Sequence, residues 1–333
     1  MWQDTNIEKY LKTGLYSTFN TQDADMYFSL YIQAKDFLCK NIYSEIKGKE
    51  PGLTDHSERH VKNVLDFAWK LISYNDSIKD FNIIEIYLLC TCILFHDAGN
   101  LHGREEHNKK VADIYNTIRS ASMTDCKQER QLLLRIIKAH CGKSAKGDKD
   151  TLLDIEVNNN LYDYQIKVRD LAAILRFADE LAEGPQRTSQ YMIDRGMIQE
   201  NSLLYHKYAT SINEIHVDKG NGRIVLSYNI DCPVEDVTFK DLMKFVYTRI
   251  IKLDTERRYC KYYASSLDVL KKTEASINFT IYGDLCDYNL PTICLEDKYS
   301  LVDESIDEIN SRPGFNIETV DKNIQEKINN HKQ

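Results

Sequence analysis

A chain of 333 residues is long enough for two domains, or for one large domain with an appendage, and it can bury a sizeable core. An apolar share of 42% with a charged share of 28% excludes a disordered or fibrous chain. The net charge of -8 argues against a dedicated duplex-DNA surface, but a local basic pocket or a metal can still hold a nucleotide on an acidic protein.

The opening Met-Trp-Gln-Asp-Thr-Asn lacks the basic-then-apolar pattern of a leader, and no uninterrupted apolar stretch approaches the ~20 residues of a membrane span. Nine cysteines, an odd number without a C-x-x-C, read as reduced thiols. These features predict a cytoplasmic protein with no membrane partner.

In chain order, residues 23–46 carry Met26, Leu30, Ile32, Phe37, Leu38 and Ile42 at near-helical spacing. Glycines and a proline predict a loop over 47–52. Residues 55–73 follow, with Val61, Val64, Leu65, Ala68 and Leu71 on one apolar stripe. Residues 82–95 are nearly all apolar, which predicts a central buried helix. Helices over 105–120, 127–140 and 165–181 complete the set, and Gly184-Pro185 ends it. Beyond a boundary near 195 the character changes. Residues 211–217 and 223–230 alternate apolar and polar, joined by the turn sequence Asp218-Lys-Gly-Asn-Gly222. Residues 239–270 predict one long helix or two shorter ones, and 276–282 a third strand. The last dozen residues are expected to be loosely ordered. The fold class is therefore mainly α. A helical domain over 1–195 precedes a smaller α+β region over 196–333, with a β-hairpin and a long helix.

The most informative feature is His96-Asp97, at the end of the apolar run over 86–95. Two ionisable groups at the end of such a helix are costly to bury without a partner. A divalent metal is the natural partner, because imidazole and carboxylate both ligate transition ions. Gly99 would permit the chain to break there, letting both side chains turn toward one ion. Six of the nine histidines, at 56, 60, 96, 102, 107 and 140, lie within 56–140. Such clustering is uncommon for histidines used singly.

With His60-Val-Lys-Asn-Val64 upstream and Leu175-Arg-Phe-Ala-Asp179 downstream, the order H…HD…D resembles that of the HD-domain metal-dependent phosphohydrolase superfamily. The matches span residues 54–183. The resemblance implies a helical HD bundle and a divalent ion held by His60, His96, Asp97 and Asp179. The ligand set suits Mn, Fe, Ni, Co or Zn, one ion or two, with Mg able to accompany the substrate. It further implies that His107 and His140 serve the scissile phosphate or a second ion. His107 or His140 would be the general acid, with Glu106 a weaker candidate. The chain departs from the common pattern in two places: His140-Cys141 replaces a His-His pair, and Asn100 stands where a lysine often follows H-D-x-G. The run over 52–60 is similar to bacterial HD proteins found as stand-alone or fused enzymes, including in stress and antiphage settings.

Phosphate needs cationic help, and Arg104, Lys143, Lys146 and Arg176 lie beside the motifs as substrate-binding candidates. Arg176 is also one helical turn from Asp179 and Glu180, so an internal ion pair is its alternative. The leading expectation is a nucleotide phosphohydrolase acting on a (deoxy)nucleoside triphosphate. The alternatives are a phosphodiesterase for cyclic or linear oligonucleotides, although a Gly-Tyr-Pro signature is absent, and a nucleotide-sensing module of a stress or antiphage system. Homo-oligomerisation is common in the superfamily and is expected here. The tyrosines of the C-terminal region, Tyr205, Tyr208, Tyr228 and Tyr247 among them, are expected mainly to pack its core.

Overall fold

The structure is a computed structural model describing residues 2–49, 55–103, 107–120, 126–140, 147, 149–234, 237–297 and 305–332, with the backbone alone at 47–49, 75–76 and 107–109. It is mainly α-helical and divides into two compact units. The first comprises Met1–Pro51, Asp55–Ala182 and Cys260–Asp268; the second comprises Gly52–Thr54, Glu183–Tyr259 and Val269–Gln333.

The first unit contains α1 (Asn6–Thr18), α2 (Thr21–Leu38), α3 (Ser44–Lys49), α4 (Glu58–Ile72), α5 (Ile83–Phe95), α6 (His107–Arg119), α7 (Lys127–His140) and α8 (Val168–Leu181). A two-stranded ribbon, β1 (Asn159–Leu161) with β2 (Tyr164–Ile166), precedes α8. Every residue of α5 is buried, and α1, α2, α4, α7 and α8 pack around it. The stretch Ile83–His102 has the length and apolar character of a membrane span, yet nearly all of it is buried as the core of this unit.

Two helices are tied at their starts. Asn82 caps α5, its side chain accepting from the Ile84 and Glu85 amides while Glu85 accepts from the Asn82 amide at 2.9 Å. Glu85 also accepts the Lys167 amide at 2.7 Å, and the Asn82 side-chain amide donates to the Gln165 carbonyl at 2.8 Å. Thus α5 and α8 begin side by side. At ~1.5 Å per residue, His96 then lies about 20 Å along one helix and Asp179 about 17 Å along the other. That staple sets the height at which the two side chains meet.

Several sequence expectations need correction. The helix expected over 23–46 is α2, a π-helical turn at Cys39–Tyr43 and the start of α3. The expected loop at 47–52 begins later, because α3 runs through Lys49; residues 50–52 lie outside the described residues. Gln165 belongs to β2, so the last helix of the unit starts at Val168. The helix α1 escaped the reading, although Leu11 and Leu15 are fully buried.

The second unit contains α9 (Gln190–Asp194), α10 (Glu200–Ser211), β3 (Ile212–Asp218), β4 (Arg223–Cys232), most of α11 (Phe239–Tyr263), β5 (Lys272–Ile281), β6 (Asp284–Leu285), β7 (Ile293–Glu296), α12 (Ile306–Ser311) and α13 (Ile317–His331). The expected hairpin is β3–β4; its turn is a 3-10 turn over Lys219–Asn221 closed by Gly222 at φ 65°. A side chain at Gly222 would strike the Val269 carbonyl, because its Cβ would stand 2.7 Å from that oxygen. The third strand is longer than expected. It pairs in parallel with β4, from Arg223↔Lys272 to Cys232↔Ile281, and α11 lies in the connection between them. A parallel neighbour requires a long crossover. Tyr208, Tyr228 and Tyr247 are core residues, whereas Tyr205 and Tyr262 are exposed. The C-terminal residues are not loose: Ile317, Val320, Ile324 and Ile328 form a buried stripe on α13 at i, i+3 and i+4 spacing.

Candidate metal centre

The site lies wholly in the first unit, where one turn of α4 meets the ends of α5, α7 and α8. Ser57 caps α4 and His60 follows in its first turn, with Val61 and Val64 fully buried beside it. Phe95 ends α5, His96 is still helical in backbone, and Asp97 leaves the helix at φ -107°, ψ 3°. A 3-10 turn over Ala98–His102 carries the chain away. This turn, not a glycine break at Gly99, aims adjacent side chains at one point; the positive φ falls later, at Gly103.

The end of α5 is closed by side chains. A helix leaves its last four carbonyls without intrahelical donors. The Tyr43 hydroxyl, from the π-helical turn, donates to the Leu94 carbonyl at 2.5 Å. His96 Nδ1 lies 2.7 Å from the Ile93 carbonyl, which fixes Nδ1 as the protonated nitrogen. The Nε2 lone pair therefore faces the site. His140 repeats the device at the end of α7, with Nδ1 on the Ile137 carbonyl.

Around these nitrogens stand two carboxylates. His60 Nε2 is 3.1 Å from Asp179 Oδ1 and 3.7 Å from Asp97 Oδ2. His96 Nε2 is 3.4 Å from Asp97 Oδ2 and 3.6 Å from Asp179 Oδ1. His140 Nε2 is 3.8 Å from Asp97 Oδ1, and its ring stands edge-on to that of His96 with centroids 5.3 Å apart. His56 extends the cluster, 5.5 Å from the His60 ring.

Burial alone would raise the Asp97 carboxyl, but His96, His140 and His56 outweigh it and hold it well below the usual carboxylate range. Burial is likewise overcome at Asp179, where His60 and His96 hold the carboxyl well below that range. Burial would lower His96, and Asp97 and Asp179 instead raise it.

The donor set fits a divalent ion. His60, His96 and Asp97 are buried, and each offers a ligand atom within 4.8 Å of the others. His96 Nε2 is a buried nitrogen with no hydrogen-bond partner. Ligands ~2.0–2.2 Å from one ion lie about 2.8–3.6 Å apart along the edges of an octahedron or tetrahedron. Of the four nitrogen–oxygen separations, three at 3.1–3.6 Å fall within that range and the fourth, at 3.7 Å, lies just beyond it. Asp179 is the acidic residue of its helix end that reaches both imidazoles. Glu183 instead accepts from Tyr208 and Arg249 in the second unit.

The other sequence candidates divide. His140 is at the site. The Arg176 guanidinium donates to Thr151 Oγ1 at 2.8 Å and stands 3.5 Å from the Ala139 carbonyl. Arg104, Glu106, Lys143 and Lys146 lie outside the described residues, as does the side chain of His107, whose backbone opens α6. His102 is exposed on the 3-10 turn. Tyr43 and Thr151 escaped the sequence reading. Neither sits in a motif, and only the fold brings them to the helix ends.

A helical unit that gathers two histidines and two aspartates in the order H…HD…D defines an HD-type domain, the class of metal-dependent hydrolases. The HD-CE family matches residues 50–246, more than half of the chain, and the protein belongs to that family. The matched segment contains His60, His96, Asp97, His140 and Asp179. No curated protein and no solved structure matches the chain.

Proposed function

We propose that the protein is a metal-dependent phosphohydrolase whose substrate is a nucleotide, first a (deoxy)nucleoside triphosphate. The observation that carries the reading is the spacing of His60, His96, Asp97 and Asp179 around one point, with nitrogen–oxygen distances of 3.1–3.7 Å. These four residues would hold the ion. A bound divalent ion lowers the pKa of water and polarises a phosphoryl oxygen.

Hydrolysis adds water to phosphorus and breaks the bond to the leaving oxygen, which must gain a proton. His140 is assigned that proton transfer. Its Nδ1–H is committed to the Ile137 carbonyl, so Nε2, 3.8 Å from Asp97 Oδ1, is the nitrogen that exchanges protons. His107 and Glu106 share the assignment as alternatives, on their place in the sequence. Arg104, Lys143 and Lys146 are assigned to the phosphates on the same ground, as cations in the segments beside His107 and His140.

Phosphate release from a panel of nucleoside and deoxynucleoside triphosphates, with Mn, Fe, Ni, Co or Zn added singly, tests the reading. Turnover of a triphosphate, abolished in Asp97→Asn, is the expected result. Cleavage confined to cyclic or linear oligonucleotides would replace it with a phosphodiesterase. Nucleotide binding without turnover under every metal would replace it with a sensor.

A further inference from the structure

The C-terminal end of α7 carries a set of contacts that the metal site itself does not require. The Ala139 carbonyl, adjacent to His140, is among those a helix end leaves without intrahelical donors. Thr151 Oγ1 donates to it at 2.7 Å, and Arg176 Nη1 donates to Thr151 Oγ1 at 2.8 Å. Ala139, His140 and Thr151 are all buried. Thr151 comes from the segment after α7, and Arg176 from α8, one turn before Asp179. The next residue back, Asp150, accepts from the Tyr263 hydroxyl at 2.8 and 2.9 Å, and the Arg169 guanidinium lies over the Tyr263 ring. The segment bearing Thr151 is therefore pinned on both sides.

We propose that Thr151 and Arg176 form a clamp that positions His140. The clamp closes the last turn of α7, so the Ile137 carbonyl stays where the His140 Nδ1–H can reach it and Nε2 stays turned toward Asp97. Because Arg176 and Asp179 share α8, the clamp also ties the His140 ring to the helix that carries the acidic end of the site. Arg176 is then a positioning residue, with its guanidinium spent inside the protein, rather than a contact to phosphate. The catalytic consequence of the clamp rests on the hydrolase reading above; the orientation of His140 does not.

The two are separated by measuring them differently. Nitrogen-15 spectra of the histidine rings report which nitrogen carries the proton, whether or not any substrate is turned over. His96 is the internal control, because its Nδ1 is bonded within its own helix end. In wild type, His140 should show a single tautomer protonated at Nδ1. In Thr151→Val, which keeps the shape and removes the hydroxyl, the His140 shifts should move toward the average of the two tautomers while those of His96 hold. Thr151→Ser should restore the wild-type His140 shifts. Arg176→Gln should move the same signals, and it carries the test if Thr151→Val does not fold. A His140 signal unchanged in the folded variant overturns the clamp. If triphosphate is hydrolysed, Arg176→Gln should lower kcat about 10–100-fold at constant KM, since misplacing a reacting group by ~1 Å costs on that order. A raised KM at constant kcat would instead make Arg176 a phosphate contact and overturn the proposal.

Discussion

At the scale of single residues, the site works through which nitrogen of each imidazole is free to face it. His96 and His140 both end helices, and both hold Nδ1 on the carbonyl three residues earlier. The geometry separates their duties. His96 Nε2 stands 3.4–3.6 Å from both carboxylates, whereas His140 Nε2 stands 3.8 Å from Asp97. His140→Ala should therefore retain the ion and slow turnover ~10²–10⁴-fold, the usual loss on removing a general acid. Elemental analysis beside kcat checks this; loss of an ion in that variant would make His140 a ligand. His96-Asp97 stood out in the sequence because two ionisable groups ending an apolar run are costly to bury without a partner, and His60 and Asp179 joined them through the order H…HD…D. Thr151 and Tyr43 were not legible, because a hydroxyl closing a distant carbonyl leaves no local pattern in the sequence.

At the scale of elements, the helices that carry the site are held by buried polar groups. Glu129 on α7 accepts from Tyr87 and Tyr115 at 2.7 Å and from Arg119 at 2.8 Å, and it is fully buried. Glu129→Leu would leave the Arg119 guanidinium buried without its carboxylate. Breaking such a pair costs about 3–5 kcal/mol, so urea unfolding should show a destabilisation of that order, and a change below ~1 kcal/mol would contradict it. Asp170, in the first turn of α8, gives a dependence on pH. Burial pushes its carboxyl up from 3.8 to about 6, beyond what Lys167 offsets. The folded state thus binds the proton more tightly than the unfolded chain. The penalty is absent below pH 3.8, grows as pH rises through 3.8 to about 6, and is full above it. The side chain is only partly buried, so solvent screening reduces the penalty to roughly 1–2 kcal/mol. Asp170→Asn should stabilise the protein at pH 8 and leave it nearly unchanged at pH 4, in thermal melts at the two values. Equal effects at both would refute the assignment. The helices α4 and α7, by their apolar period, and α5, by its unbroken apolar run, could be read from the chain. The short ribbon β1–β2 could not, because three-residue strands in a polar stretch of Asn158, Asn159 and Asn160 carry too few side chains to show a period.

At the scale of the whole molecule, the second unit is organised by partners distant in sequence, which is why it was the harder half to read. Its parallel pair β4–β5 joins residues about fifty apart, and α13 contributes its stripe from the far end of the chain. Ile324 is fully buried on that stripe. Ile324→Ala should cost about 2–5 kcal/mol, as truncation of a core isoleucine does; an effect within ~0.5 kcal/mol would return the C-terminal residues to the loose state first expected of them. The first unit raises the central question of whether His60, His96, Asp97 and Asp179 are a metal centre. Elemental analysis of the purified protein, wild type beside His96→Ala, answers it directly. Wild-type protein should hold about one transition ion per chain, as befits one set of four protein ligands, and a His96→Ala protein that remains folded should lose it. Wild-type protein that binds no ion when supplied with Mn, Fe, Ni, Co or Zn, or a His96→Ala variant that keeps a full complement, would contradict it.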